Sequence, residues 1–298
     1  MSSSGPLMDI FAPCKVNLTL DVFAPRADGF HDLDSLVMKF MPEDALTVDW
    51  QCVPGENGIT LTCDDPNLPT DERNLAYRAA RDFLAAFPIS GTVRIHLAKR
   101  LPYQAGLGSA SSDAGAVLRS LADQLSNDWG KVERIAAAIG SDVPLFLHGR
   151  LVRMRGRGEQ VEPLYLSLPT LHGVLVKPDV GVPTPVAYRL LDALPNRVPG
   201  AATQNLLSVL QSKPEDLNAV ASALGNDFEA AILPAFPGVA AAHRALTDAG
   251  AIRALLCGSG SACFGLAESV EHAEAIAERL RTVPNRFAWI AVAESLPV

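Results

Sequence analysis

The stretch Pro102-Tyr103-Gln104-Ala105-Gly106-Leu107-Gly108-Ser109-Ala110-Ser111-Ser112-Asp113-Ala114-Gly115 decides how the rest of the chain is read. Just upstream, Val93, Ile95 and Leu97 alternate with Thr92, Arg94 and His96, the period of a half-buried strand. Downstream, Ala114, Val117, Leu118, Leu121 and Leu125 recur at helical spacing, so a strand feeds a small-residue loop that feeds a helix. Gly106 and Gly108 let a ligand approach the backbone, Ser111 and Ser112 offer caps and hydroxyls, and the first-turn amides carry about half a positive charge. The pattern predicts an anion cradle, and a plain serine-capped connection is the bland alternative. No lysine follows Gly108 as a P-loop requires, and Ser111 stands where a dinucleotide turn has its third glycine.

A chain of 298 residues is long for one core, so two domains are expected. With 48% hydrophobic and 19% charged residues, the composition is that of an ordinary soluble protein. A net charge of -8 without any basic run argues against nucleic acid or an anionic membrane as partner. The N-terminal residues lack a basic region followed by an apolar run, and no stretch is apolar for membrane-spanning length, so a cytoplasmic protein is expected. The five cysteines are scattered and odd in number, which reads as reduced core residues.

Near the start, Cys14, Val16, Leu18, Leu20 and Val22 alternate with Lys15, Asn17, Thr19 and Asp21. That is a strand whose polar face carries Lys15 and Asn17, by default toward solvent. Asp28-Gly29 is a turn, followed by Phe30 and His31, a pair suited to stacking on and hydrogen-bonding a flat heterocycle; by default Phe30 is core and His31 surface. Residues 50–63 read as a hairpin about the turn at 54–58, and residues 74–83 as a helix. Val132, Ile135, Ala136 and Ile139 mark a helix stopped by Gly140. Asp142 then reads as a cap for the element beginning at Pro144, or as a proton acceptor. Residues 151–160 read as a hairpin edge with Arg153, Arg155 and Arg157 on one solvent-facing side, phosphate contact being the alternative. A proline-bearing connector at 162–168 sets a boundary, giving domains 1–163 and 164–298. Beyond it, strands at 173–176, 252–256, 263–266 and 287–292 alternate with helices at 239–248 and 270–281. A glycine turn at 257–262 reads as a hairpin connection.

Three features together resemble the small-molecule kinase superfamily that includes galactokinase, homoserine kinase, mevalonate kinase and phosphomevalonate kinase. They are the strand bearing Lys15, the loop with Pro102, Gly106-Leu107-Gly108 and Ser111-Ser112, and the late Gly258, Gly260 and Ala262 turn. Within it, residues 12–18, 26–31, 140–146 and 182–185 resemble the family of 4-diphosphocytidyl-2-C-methyl-D-erythritol kinases of the non-mevalonate isoprenoid route. The resemblance implies an α+β fold of two lobes, an ATP-binding one built like a ribosomal-protein S5 domain and a ferredoxin-like one. It implies phosphorylation of the substrate's 2-hydroxyl by ATP with Mg²⁺. Asp142 falls on the family's catalytic aspartate and Lys15 on its partner lysine, while the loop from Pro102 to Ser112 would carry the nucleotide phosphates. Phe30 and Tyr188 match the aromatic pair that sandwiches cytosine, His31 the histidine that hydrogen-bonds it, and Asn17 and Thr184 positions near the substrate. The chain departs from the family where Ser109 and Ala110 replace glycines, Cys14 an alanine and Phe30 the commoner tyrosine. A sister kinase on another alcohol and a nucleotide-binding relative without catalysis are the alternatives. Phe30, His31 and Tyr188 argue against the first, and Lys15 with Asp142 against the second. Monomer and homodimer are both compatible with the sequence.

Overall fold

The structure, a computed structural model, describes residues 9–166, 168–195, 198, 200–283 and 286–297. In chain order the elements are β1 (Asp9–Asn17), β2 (Thr19–Pro25), β3 (His31–Cys52), β4 (Asn57–Cys63), α1 (Leu75–Ala86), β5 (Gly91–Ala98), α2 (Ser109–Leu125) and α3 (Trp129–Ile139). A 3-10 turn (Pro144–Leu147) leads to β6 (Leu151–Gly156), β7 (Gln160–Pro163), β8 (His172–Lys177), α4 (Thr184–Asp192), α5 (Ala202–Ser212) and α6 (Leu217–Ala223). The chain closes with β9 (Gly225–Asn226), α7 (Glu229–Ala235), α8 (Pro237–Asp248), β10 (Arg253–Leu256), β11 (Cys263–Ala267), α9 (Val270–Arg281) and β12 (Trp289–Ser295). The described residues pack as two compact units, one of residues 9–14, 43–101 and 108–148, the other of 15–42, 102–107 and those described beyond 148.

In the first unit, β5 is central. It pairs antiparallel with the second half of β3, Ala45 opposite Ala98 through Cys52 opposite Gly91, and parallel with β4 on its other edge. The expected hairpin over 50–63 is therefore corrected: the chain does reverse at Pro54-Gly55, but β5 lies between the two strands. Val93, Ile95 and Leu97, all fully or nearly buried, give β5 the apolar face that seats it there. α1 buries Ala76, Ala79, Ala80 and Phe83 on one stripe, and its start is fixed by Asn74, whose side chain accepts from the Ala76 amide. These residues join Val117, Leu121, Val132 and Ile135 in one core.

In the second unit, β8, β10, β11 and β12 form an antiparallel sheet in the order β10-β11-β8-β12. With helices between β8 and β10 and α9 between β11 and β12, this is the ferredoxin-like β-α-β-β-α-β arrangement, and the fold as a whole is α+β. The first half of β3 pairs with β2 and β6, and β6 forms a hairpin with β7. β6 is thus an interior strand; Arg155 and, in the turn after it, Arg157 are exposed as expected and Arg153 is half-buried, but all three have partners. Arg153 makes a bidentate pair with Asp34 (2.8 and 2.6 Å), Arg155 pairs with Glu162 at 2.9 Å, and Arg157 lies 4.8 Å over the Phe30 ring.

Two other expectations are corrected by burial. Lys15 and Asn17 do not face solvent, because the strand beyond Ala12 is buried on both faces. Cys14, Cys257 and Cys263 are buried thiols, but Cys52 is exposed and Cys63 partly so. Burial pushes the Cys257 thiol up to about 12 and Cys263 well up also, so both behave as inert small apolar groups.

Candidate active site

Lys15 and Asn17, two residues apart on β1, point the same way and are bonded to each other, Nζ donating to Asn17 Oδ1 at 2.7 Å. Asn17 Nδ2 donates to Ser35 Oγ (2.9 Å), and Ser35 Oγ donates to the Thr19 carbonyl (2.5 Å). This line fixes the amide orientation of Asn17 and so aims the ammonium. A Cβ built on Gly258 would lie 3.2 Å from Lys15 Nζ, 3.3 Å from the Gly106 carbonyl and 3.6 Å from Asn17 Oδ1. The two glycine stretches and the lysine strand therefore meet at one place in the second unit.

Residues Pro102 to Leu107 belong to the same unit and are tied to that turn. Gly106 has φ +80°, and a Cβ there would fall 2.1 Å from the Cys257 carbonyl oxygen, which only glycine allows. Ala262 N donates to Ala105 O (3.0 Å) and Lys15 N to Leu107 O (2.9 Å). Asn226 spans the turn from below, its Nδ2 donating to the Leu256 and Gly258 carbonyls at 2.8 Å each. The glycine turn at 257–262 is a β10–β11 hairpin connection, as read, and also the seat of the Gly106 loop. Thr184 Oγ1 lies 3.3 Å from Ser259 Oγ, so the first residue of α4 stands at this turn too.

One helical turn on from Thr184, Tyr188 stacks on His31 (centroids 4.8 Å apart, tilted 32°) and meets the edge of Phe228 at 4.9 Å. His31 Nε2 lies 2.8 Å from Asp192 Oδ1. The default reading of 30–31 is reversed here: His31 is buried and Phe30 is 54% exposed, its ring carrying the Arg157 guanidinium. The turn at Asp28-Gly29 causes this, since it delivers Phe30 at the loop and His31 as the first residue of β3.

Gly108 to Ser112 lie in the first unit. Gly108, with φ 72°, is the N-cap of α2, and no side chain caps the helix. Ser111 and Ser112 are not caps but first-turn residues. Ser112 Oγ is fully buried and has no hydrogen-bond partner among the described residues. An uncapped start of a 17-residue helix, opened by glycine and carrying an orphaned hydroxyl, fits an anionic group such as a nucleotide phosphate. Ser109 adds no bulk to the loop's exposed side, because its hydroxyl is bonded to Lys99 and Asp44 within the unit, while Ala110 is exposed. Asp142 is half-buried between α3 and the 3-10 turn, whose N-cap is Val143 without a side-chain cap bond. Among the described residues no group of three or more His, Cys, Asp or Glu could hold a metal ion.

Asp192, Asn226, Ser35 and the Asp44–Lys99 pair escape sequence reading, since each gains meaning only from a distant partner. Lys99, the residue after β5 and three before the loop, was the one positional hint.

An α+β chain with a ferredoxin-like segment, a strand lysine and a glycine loop opening a helix defines a small-molecule kinase of the GHMP class. Residues 74–150 match the GHMP kinases N terminal domain and residues 205–285 the GHMP kinases C terminal family. The chain is 39% identical over 269 residues to 4-diphosphocytidyl-2-C-methyl-D-erythritol kinase of Moorella thermoacetica, covering 90% of this chain and 92% of the relative. With the enzyme of the same name from Cereibacter sphaeroides it shares 38% over 95% of this chain and 98% of the relative. A crystal structure of 4-(cytidine 5'-diphospho)-2C-methyl-D-erythritol kinase superposes with a TM-score of 0.80 at 35% identity, covering 98% and 100% of the two chains. Homoserine kinase from Cytophaga hutchinsonii, at 21% identity and a TM-score of 0.73, shares the fold. This chain belongs to the 4-diphosphocytidyl-2-C-methyl-D-erythritol kinase family.

Proposed function

We propose that the chain transfers the γ-phosphoryl group of ATP to the 2-hydroxyl of 4-diphosphocytidyl-2-C-methyl-D-erythritol. The reading is carried by the meeting of Lys15, Asn17, the Gly106 loop and the Gly258 turn in one compact unit, in a chain whose family acts on this alcohol. The loop from Pro102 to Ser112 takes the nucleotide phosphates on backbone amides. Asp142 accepts the hydroxyl proton as the oxygen attacks the γ-phosphorus, the bond from that phosphorus to the β,γ-bridging oxygen breaks, and ADP leaves. Lys15 balances the charge that develops. Mg²⁺, when bound, would supply charge neutralisation at the nucleotide phosphates, and Asp142 and the Ser111 and Ser112 hydroxyls would be among the oxygen donors to hold it.

Phe30 and Tyr188 hold the cytosine ring, His31 hydrogen-bonds it, and Asn17 and Thr184 line the path of the alcohol. Support comes from the exposed Phe30 ring and from Tyr188 and Thr184 sharing one face of α4. The division into segments 1–163 and 164–298 belongs to the same proposal, the family matches at 74–150 and 205–285 falling on either side of it. So does a cytoplasmic location; among the described residues no helix is long and apolar enough to cross a membrane. A coupled assay with the cytidyl alcohol, ATP and Mg²⁺ tests the function: product carrying a new phosphate monoester is expected, and absence of turnover with this alcohol overturns it.

A further inference from the structure

Ser109 stands at the first position of α2, and its side chain enters a buried polar cluster. Its Oγ donates to Asp44 Oδ2 (3.0 Å) and accepts from Lys99 Nζ (2.5 Å). Lys99 Nζ also donates to Asp44 Oδ2 (2.5 Å) and to Asp113 Oδ2 (2.8 Å). Asp44 is fully buried and the Lys99 side chain only 7% exposed, so these bonds form out of water, where they are strong and costly to leave unmade.

The second oxygen of Asp44 does something else. Oδ1 accepts the backbone amides of Arg100 (2.6 Å) and Leu101 (2.8 Å). A single carboxylate thus grips the chain immediately before Pro102 with one oxygen and immediately after Gly108 with the other. Those are the two ends of the glycine loop. A cluster that served only to fill the core would have no need to place its bonds at both ends of one loop. Asp44 comes from β3, Lys99 from just after β5 and Asp113 from α2, so the chain on both sides of the loop is pinned to a third element.

We propose that Asp44 and Lys99 are positioning residues of the phosphate loop, acting through Ser109 and the Arg100 and Leu101 amides to hold the first amides of α2 in place for the nucleotide. The assignment rests on the reading of this loop as the ATP site. It fits the electrostatics of the cluster. Burial lowers the affinity of the Lys99 ammonium for its proton, but the Asp113 and Asp44 charges more than restore it, so the clamp stays cationic. Burial pushes the Asp113 carboxyl up to about 7 against the pull of Lys99, so near neutral pH the cluster carries little net charge.

The test is steady-state kinetics on Ser109→Ala, which removes the hydroxyl alone, and on Lys99→Met combined with Asp113→Leu, which removes opposite charges together. Circular dichroism checks that each folds. Expected for Ser109→Ala is a KM for ATP raised about 5–10-fold with the KM for the cytidyl alcohol unchanged, and a larger rise of the same kind in the double variant. A purely structural cluster would lower stability and leave that split absent. Normal ATP KM in folded Ser109→Ala overturns the assignment, and decides alone where the double variant does not fold. Calorimetric titration of Gly108→Val with ATP separates the two claims. Lost binding there with normal kinetics in Ser109→Ala removes only the positioning role, whereas normal binding by the valine variant removes the loop itself.

Discussion

His31 Nε2 lies 2.8 Å from the Asp192 carboxylate, across β3 and α4, with the imidazole otherwise walled by Tyr188. A carboxylate only accepts, so Nε2 carries a proton in this contact, and in the neutral imidazole Nδ1 is then an acceptor. An acceptor suits the exocyclic amine of cytosine and repels the carbonyl that uracil has at the same place.

Asp192→Asn tests that relationship. An asparagine can turn its amide to donate to Nε2, which frees the ring to place its proton on Nδ1. Expected is a fall of about 10-fold or more in kcat/KM for the cytidyl alcohol, on the order of 1–3 kcal/mol, with ATP KM unchanged and a relative gain for the uridyl analogue. Equal selectivity in the variant and the parent, measured by competition between the two alcohols, rejects tautomer control.

Asparagine caps a helix about as well as aspartate but cannot accept a proton, so Asp142→Asn separates a capping role from a catalytic one. Asp142→Asn should keep the fold and both ligand affinities and lose roughly 10²–10⁴ in kcat. Lys15→Met should lower kcat as well, and the double variant should lose far less than the product of the two. Near-normal kcat in folded Asp142→Asn would send the search for the base elsewhere.

Phe30 presents a ring with a cation on it. Replacing Phe30 by Ala should weaken the cytidyl alcohol by roughly 1–3 kcal/mol, the worth of stacking one base, and spare ATP. Arg157→Leu removes the guanidinium and keeps the ring, so it should shift substrate KM by a smaller factor. An unchanged substrate KM in Phe30→Ala would exclude the ring from the subsite.

Asp113 gives a pH dependence with a definite sign. Its carboxyl ordinarily titrates near 3.8 and is pushed up by burial to about 7, so between these values the folded protein holds a proton that the unfolded chain releases. Stability from this group is complete below the lower value and is lost as pH rises through the upper one. The urea midpoint should therefore fall between about pH 4 and about pH 7 and level off above, and Asp113→Asn should flatten the fall. Equal slopes in the two proteins would assign the dependence to other groups.

The loop from Pro102 to Ser112 was legible because its evidence is local: a period-2 strand before it, a 3.6-period helix after it and small residues between. The Asp44–Lys99–Asp113–Ser109 cluster was not, since Asp44 and Lys99 sit 55 residues apart and each reads alone as an ordinary surface charge. Residues 50–63 show the same limit. Pro54-Gly55 announces a reversal, but only the pairing of β5 with both β3 and β4 decides which strand the chain returns to. The inversion of Phe30 and His31 has a related cause: hydrophobicity ranks phenylalanine inside, while the Asp192 contact that seats the imidazole lies 161 positions away.

The missing side chain at Gly106, pressed against the Cys257 carbonyl, has an evolutionary consequence. Two segments about 150 positions apart were moulded against each other and must drift together. Lifted into another scaffold, the glycine loop would leave behind the surface that shapes it. A screen for variants with altered nucleotide preference should accordingly recover changes at 257–262 alongside those at 102–108, although sequence distance gives no reason to look there.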